Sequence, residues 1–385
     1  MGLNMSRFLR KLSIYLLPFL LVLLVPAVVL VATGEFTSVS HVIELQGKSE
    51  IPVLFGRAYS DPTAYYKLES VLSRRPDVLV LGTSRVLAVR STFFRPDISF
   101  FNAGNGVTRL RHFRLFLQRI PRGAEPRLIL LGLDQYLFNA CFDQLLPDGM
   151  ESAWASDDTG EGIFVSSWSK VYRDYWERKF LLSDLMVETG ERRIGLNAVV
   201  HANAFRSDGS YTWADYVADP WNPNNADYEF RNTFDRIHKG DRRFEYGEHV
   251  SEKALLELEA LLRECSVRGI YVTAFLPPFA HAVFEKMRSM PMQYGYLREL
   301  EPSLRPIFTK SGFSLHDFSD LARLGASDKE TIDGFHGSEK AYLRLFLEMI
   351  EADPQLKVLA RDTTYLQARL DVAVNDHVVF RFDEK

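Results

Sequence analysis

Asp77-Val78-Leu79-Val80-Leu81-Gly82-Thr83-Ser84-Arg85 is the stretch that decides the fold. Residues 77–81 form a short apolar run stopped by glycine, the pattern of a strand buried on both faces. Two later runs read the same way, 98–102 (ISFFN) and 127–131 (RLILL), each leading into a glycine-bearing turn. Between them, 108–120 places Leu110, Phe113, Leu117 and Ile120 on one face at helical spacing. The alternation resumes with a leucine-rich helix over 251–267, ended by Gly269, and a strand over 270–275 stopped by Pro277 and Pro278. A strand near 314–318 and a helix over 338–350 follow. Strands alternating with helices imply a mostly parallel sheet covered on both faces, so the expected fold is a three-layer α/β/α sandwich.

Upstream of this core, Arg7, Arg10 and Lys11 precede an uncharged apolar run over 12–32. About 20 residues at 1.5 Å rise cross a hydrocarbon layer of roughly 30 Å, so the run is long enough to span. A cleaved signal has a shorter apolar region and a small-residue cleavage site, and no convincing Ala-x-Ala follows here. The reading is one uncleaved transmembrane anchor, with Pro18 and Pro26 tolerated inside it. The first charge beyond it is Glu35, so the positive-inside rule leaves the N-terminus cytoplasmic and the rest of the chain outside the cytoplasmic membrane.

The chain of 385 residues carries 46 basic and 50 acidic residues, a net charge of −4, which excludes the Lys/Arg excess a nucleic-acid partner requires. Cys141 and Cys265 are positioned in an oxidising compartment by this topology, but sequence separation does not decide whether they pair. The expected organisation is a cytoplasmic tip and anchor over 1–33, a stalk and first helix over 34–75, a main domain over 76–360, and an extension over 361–385. Within the main domain the alternation lapses over 140–248, read as one long insertion on the loop side of the sheet. It carries all five tryptophans, Trp154, Trp168, Trp176, Trp213 and Trp221. They serve either as a carbohydrate-stacking surface or as a small satellite core.

Ser84 falls just past the carboxyl end of the first core strand, where ligands bind in open α/β sheets; a helix N-cap is the plainer role for such a serine. Near the other end of the chain, Asp333-Gly334-Phe335-His336 precedes a helix and sets both side chains on one turn. Each motif alone is common, but their order and their places at strand ends make the pair specific.

The combination resembles the SGNH (GDSL-like) hydrolase and acyltransferase superfamily. Gly82-Thr83-Ser84 matches its first block, Asn102-Ala103-Gly104-Asn105-Gly106 the second and Asp333-Gly334-Phe335-His336 the last, over roughly 75–140 and 250–350. The resemblance implies Ser84 as nucleophile, His336 as base and Asp333 as its orienting partner. Backbone N–H groups of Ser84 and of Gly104 or Gly106, in the loop that also carries Asn105, would hold the oxyanion. One block departs: where the family has Gly-x-Asn-Asp, this chain has Gly132-Leu133-Asp134-Gln135, and an ionised Asp134 cannot donate to an oxyanion. Asp134 is therefore expected protonated or turned elsewhere, toward the insertion or an acceptor hydroxyl. Arg85 and His281 are further substrate-binding candidates, and 205–210 reads as a turn. No metal spacing or cofactor fingerprint is present.

With its anchor and outward domain, the chain is similar to membrane-anchored proteins that acylate polysaccharides, such as the alginate acetylation proteins and the teichoic acid D-alanylation protein. That likeness implies a single-pass protein of the bacterial inner membrane with its catalytic domain periplasmic or extracellular. It implies a polysaccharide acceptor and an acyl donor supplied by a membrane-bound O-acyltransferase, with no cofactor. A carbohydrate esterase of the same fold, and a catalytically silent polysaccharide-binding subunit, are the rival expectations.

Overall fold

The computed structural model describes residues 2–142, 149–157, 161–187, 189–220, 222–225 and 227–381; Trp221 and parts of the expected insertion and C-terminal extension lie outside the described residues. The strands are β1 (Val53–Phe55), β2 (Val78–Leu81), β3 (Phe100–Asn102), β4 (Leu128–Gly132), β5 (Arg192–Ile194), β6 (Tyr271–Leu276) and β7 (Ser314–Asp317). The chain divides into two compact units, one of residues 1–61 and 157–204, the other of 62–156 and 205–385. This division differs from the expected stalk and single insertion. Residues 157–204 join the N-terminal segment because β1 and β5 pair in parallel through three residues each, a match too short to leave a sequence signal.

The larger unit is an α/β fold. Its five-stranded sheet has the order β3-β2-β4-β6-β7, with every pairing parallel. β2 and β4 are buried along their whole length, which is why they read as unbroken apolar runs rather than alternating ones. The helix Leu110–Arg119 buries Leu110, Phe113 and Leu117, as its spacing requires. Ser251 and Ser338 cap the helices Glu252–Val267 and Glu339–Ala352 by accepting the Ala254 and Ala341 N–H groups. Numbered within this sheet alone, the order is the doubly wound 2-1-3-4-5, whose ligand crevice lies beyond the carboxyl ends of the strands where the winding reverses. Here those are β2 and β4 flanked by β3, and the residues after them are Ser84, Asp134 and the 102–106 loop. Among the described residues Cys141 is an exposed and Cys265 a buried free thiol; burial pushes the Cys265 pKa up to about 12.

In the smaller unit, the helix Gly2–Ala32 carries Pro18 and Pro26. No single helix among the described residues is long and apolar enough to cross a membrane; Met5–Phe19 and Leu24–Ala32 meet that requirement only together, bent by 55°. The apolar run read as one transmembrane helix is thus bent in two. Pro26 has no N–H for the carbonyl four residues back, that of Val22, and so loosens the helix within the bend. The Tyr172 hydroxyl donates to that carbonyl. Beyond the helix, buried Glu35 accepts the N–H groups of Ala58, Tyr59 and Leu196 at 2.7, 2.8 and 2.8 Å. The first charge after the apolar run therefore ties the chain into a folded unit instead of a stalk.

Candidate active site

Ser84 opens a single 3-10 turn, Ser84–Val86, directly after β2. The Thr83 hydroxyl caps this turn by accepting the Arg85 N–H, so the N-cap is Thr83 and Ser84 is released from that role. Gly82 is required at the approach to the turn: a Cβ there would lie 2.6 Å from a Val86 methyl. The Ser84 hydroxyl is 2.9 Å from His336 Nε2. On the other side of the ring, Nδ1 is 2.9 Å from Asp333 Oδ2 and 3.1 Å from Oδ1. The same Oδ1 accepts the backbone N–H groups of Phe335 and His336 at 2.8 and 2.6 Å, so the one-turn spacing of Asp333 and His336 locks the carboxylate against the imidazole. Burial pushes the Asp333 carboxyl up, but the charge of His336 and these hydrogen bonds prevail and hold it below the ordinary carboxylate value. Residues read from two separate motifs thus meet in one hydrogen-bonded chain, an arrangement able to serve as nucleophile, base and orienting acid.

The loop after β3 is organised by Asn102. Its amide donates to the Val86 and Val89 carbonyls at 2.8 Å each, and its oxygen accepts the Gly104 N–H at 2.8 Å. The Gly106 N–H closes a turn on the Ala103 carbonyl at 3.0 Å. Neither glycine therefore has a free N–H for an oxyanion, and that expectation is corrected: both serve the turn and its packing, a Cβ on Gly104 meeting Asn102 Oδ1 at 2.8 Å. Asn105 is different. It is left-handed (φ 63°), and its own N–H binds the Gly82 carbonyl at 3.0 Å, beside the nucleophile's turn. Its half-buried carboxamide has no hydrogen-bond partner among the described residues. The Ser84 N–H, at the start of its turn, likewise has no hydrogen-bond partner among the described residues, so each group is a donor able to serve developing negative charge.

Asp134 and Arg85 change roles together. Asp134, 1% exposed, accepts the Thr83 hydroxyl at 2.5 Å and faces the Arg85 guanidinium at 3.4 Å. It is buried against the turn that carries Ser84, engaged by Thr83 and Arg85. Arg85, also 1% exposed, commits its side chain to protein groups. It donates to the Phe335 carbonyl at 2.9 Å, Gln135 Oε1 at 2.7 Å and the Pro277 carbonyl at 3.0 Å, with its guanidinium 4.1 Å from the Phe279 ring centroid. It clamps the ends of β2, β4 and β6 to the loop carrying His336. Removing one member of such a buried pair typically costs about 3–5 kcal/mol, because the other charge is left stranded.

His281 is exposed and pairs with Asp320 at 2.9 Å, with Glu285 close enough for the three to hold a cation together; no contact joins it to the triad among the described residues. Residues 205–210 do form a turn: Asp208 accepts from Ser91 and Ser210, and buried Lys67 donates to the Asn102 and Gly209 carbonyls, fastening the turn under the 102–106 loop. The tryptophans divide. Trp154 is core, its indole donating to the Gly106 carbonyl at 3.0 Å. Trp213 lies on the His336 ring at 5.0 Å between centroids, a site contact that composition alone did not single out. Nearby, Asn232, Arg236, Arg242 and Arg243 line an open hollow of about 470 Å³. The Arg236 and Arg243 guanidiniums lie 5.4 and 5.9 Å from the Phe335 ring, next in sequence to the base.

Comparison with models of known families finds no match, and no curated protein and no solved structure matches the chain.

Proposed function

We propose that this protein is a membrane-anchored, extracytoplasmic O-acyltransferase with the three-layer sandwich of the SGNH type, moving an acyl group, in the first instance acetyl, onto a polysaccharide hydroxyl. The observation that carries the reading is the unbroken hydrogen-bond chain from Ser84 through His336 to Asp333. Ser84 Oγ attacks the donor's acyl carbonyl while its proton passes to His336 Nε2. The tetrahedral oxyanion sits on the Ser84 N–H and the Asn105 carboxamide, and its collapse expels the donor's alcohol, which leaves with the proton from Nε2. The acceptor hydroxyl then gives its proton to Nε2 and attacks the acyl-Ser84 carbonyl, and collapse of the second tetrahedral intermediate expels Ser84 Oγ, which takes that proton back from Nε2. A membrane-bound O-acyltransferase supplies the donor in this scheme, and no cofactor takes part.

Trp213 offers a flat face beside the base for a sugar ring, and the arginines around the hollow suit carboxylate or phosphate groups on the acceptor. A silent binding subunit would draw its support from Asp134 spoiling the oxyanion site. With Asp134 paired to Arg85, that support falls away. An esterase runs the same steps with water in the second half.

The deciding experiment incubates the full chain with an activated acetyl ester, with and without oligosaccharides, and follows protein and sugar by mass spectrometry. One acetyl group on the protein, discharged to sugar faster than to water, is the expected result; release to water alone would make the protein an esterase. Asn105→Gly, which keeps the left-handed backbone, is expected to slow acylation about 10²–10³-fold with little change in melting temperature. An unchanged rate would take Asn105 out of the oxyanion site.

A further inference from the structure

The helix Gly2–Ala32 has two unlike faces near its end. On one, Val29 and Leu30 are buried against Val171, Phe180 and Leu196, with Val25 and Leu185 packed on the same cluster. On the other, Leu24, Val28 and Val31 are bare, 53%, 61% and 76% exposed. The elements on the packed face are the helix Glu161–Trp176 and the turn Leu182–Met186. They carry a bare apolar surface of their own: Trp176 is 80% exposed, Met186 83%, Val187 64%, Leu181 53% and Leu182 43%. Five large apolar side chains exposed within twelve residues form more than the scattered exposure of an ordinary surface.

Depth along the helix identifies what covers this surface. The Tyr172 hydroxyl reaches the Val22 carbonyl at the bend, and Val171 packs with Val29 and Leu30, so the segment lies along the non-cytoplasmic end of the apolar run. A segment packed beside that end of a membrane-embedded helix lies at the lipid boundary. Its composition suits the boundary: Trp168, Tyr172, Tyr175 and Trp176 are the residue types enriched at headgroup depth, and Lys170, Arg173, Arg178 and Lys179 have stems long enough to reach phosphates. Arg173 and Lys179 already pair with Asp174 at 3.1 and 2.9 Å, and Lys179 with Glu177 at 2.9 Å. Apolar burial, more than attraction to anionic lipid, would therefore hold the segment.

We infer that residues 168–187 form a second membrane-contacting element, lying in the non-cytoplasmic headgroup boundary with Trp176, Leu181, Leu182, Met186 and Val187 entering the acyl region. The inference rests on the anchor reading of the N-terminal helix. Moving these side chains out of water is favourable, so the element holds the smaller unit against the bilayer instead of leaving it tethered at a distance.

The test reconstitutes the full chain into vesicles of phosphatidylcholine and phosphatidylglycerol carrying bromine on the acyl chain, near the headgroup or near the chain end, and separates them by flotation. The chain is expected to float, and its tryptophan emission to be quenched more by the shallow bromine. Trp176→Phe should remove most of that quenching, and the quenching should persist at high salt. A chain that floats with the same quenching in Trp176→Phe as in wild type overturns the inference and leaves the anchor standing; emission of Trp176 blue-shifted but unquenched would assign the surface to a protein partner. A chain that fails to float overturns both.

Discussion

Ser84→Ala is expected to abolish the acetyl adduct and to slow cleavage of an activated ester by on the order of 10⁴–10⁶-fold, about 5.5–8 kcal/mol of transition-state stabilisation. The magnitude follows from the geometry. The Ser84 hydroxyl lies within reach of His336 Nε2, and in the proposed mechanism its loss leaves the imidazole no attacking oxygen to activate, so any remaining rate would come from substrate held near the oxyanion donors. The fold is not at risk, because the Thr83 hydroxyl and not Ser84 caps the turn, and no backbone group among the described residues bonds to the Ser84 side chain. Intact mass and single-turnover kinetics read the effect, and an unchanged melting temperature separates it from unfolding. An adduct of undiminished amount in the variant would remove Ser84 from the chemistry and reopen the binding-subunit reading.

How much of this was legible in the sequence depends on where the information lay. β2 and β4 were readable because burial on both faces leaves a continuous apolar run ending in glycine, and the triad because Asp333 and His336 share one turn and Ser84 directly follows a strand. Arg85 was misread for a physical reason: an arginine next to a nucleophile is ordinarily solvated, and its burial depends on carbonyls from Pro277 and Phe335, about 190 and 250 positions away. The Gly104 and Gly106 assignment failed because the Asn102 side chain and a local turn claim their N–H groups, a competition invisible to motif spacing. The smaller unit was hidden because its short β1–β5 pair and the reach of Glu35 to Leu196 leave no periodicity to find.

Asp333→Asn should lower the rate by on the order of 10⁴-fold while leaving the site's geometry in place. Asp333 Oδ1 accepts two backbone N–H groups, so the oxygen of an asparagine stays there and its NH₂ occupies the position of Oδ2, 2.9 Å from His336 Nδ1. That NH₂ can only donate. It forces Nδ1 to accept and leaves the ring proton on Nε2, the nitrogen that must take the Ser84 proton. The variant is therefore arrested in the wrong tautomer, not disassembled. A pH signature accompanies the loss. The folded Asp333 carboxyl is held below its ordinary value, so the stability it contributes is complete above the unfolded carboxylate pKa and disappears as pH falls through the lowered folded one. The asparagine has no such titration, and its melting temperature should fall less steeply below about pH 4 than that of the wild type. A variant that keeps most of its activity at neutral pH would show that the Asp333–His336 contact is structural, and that another group orients the base.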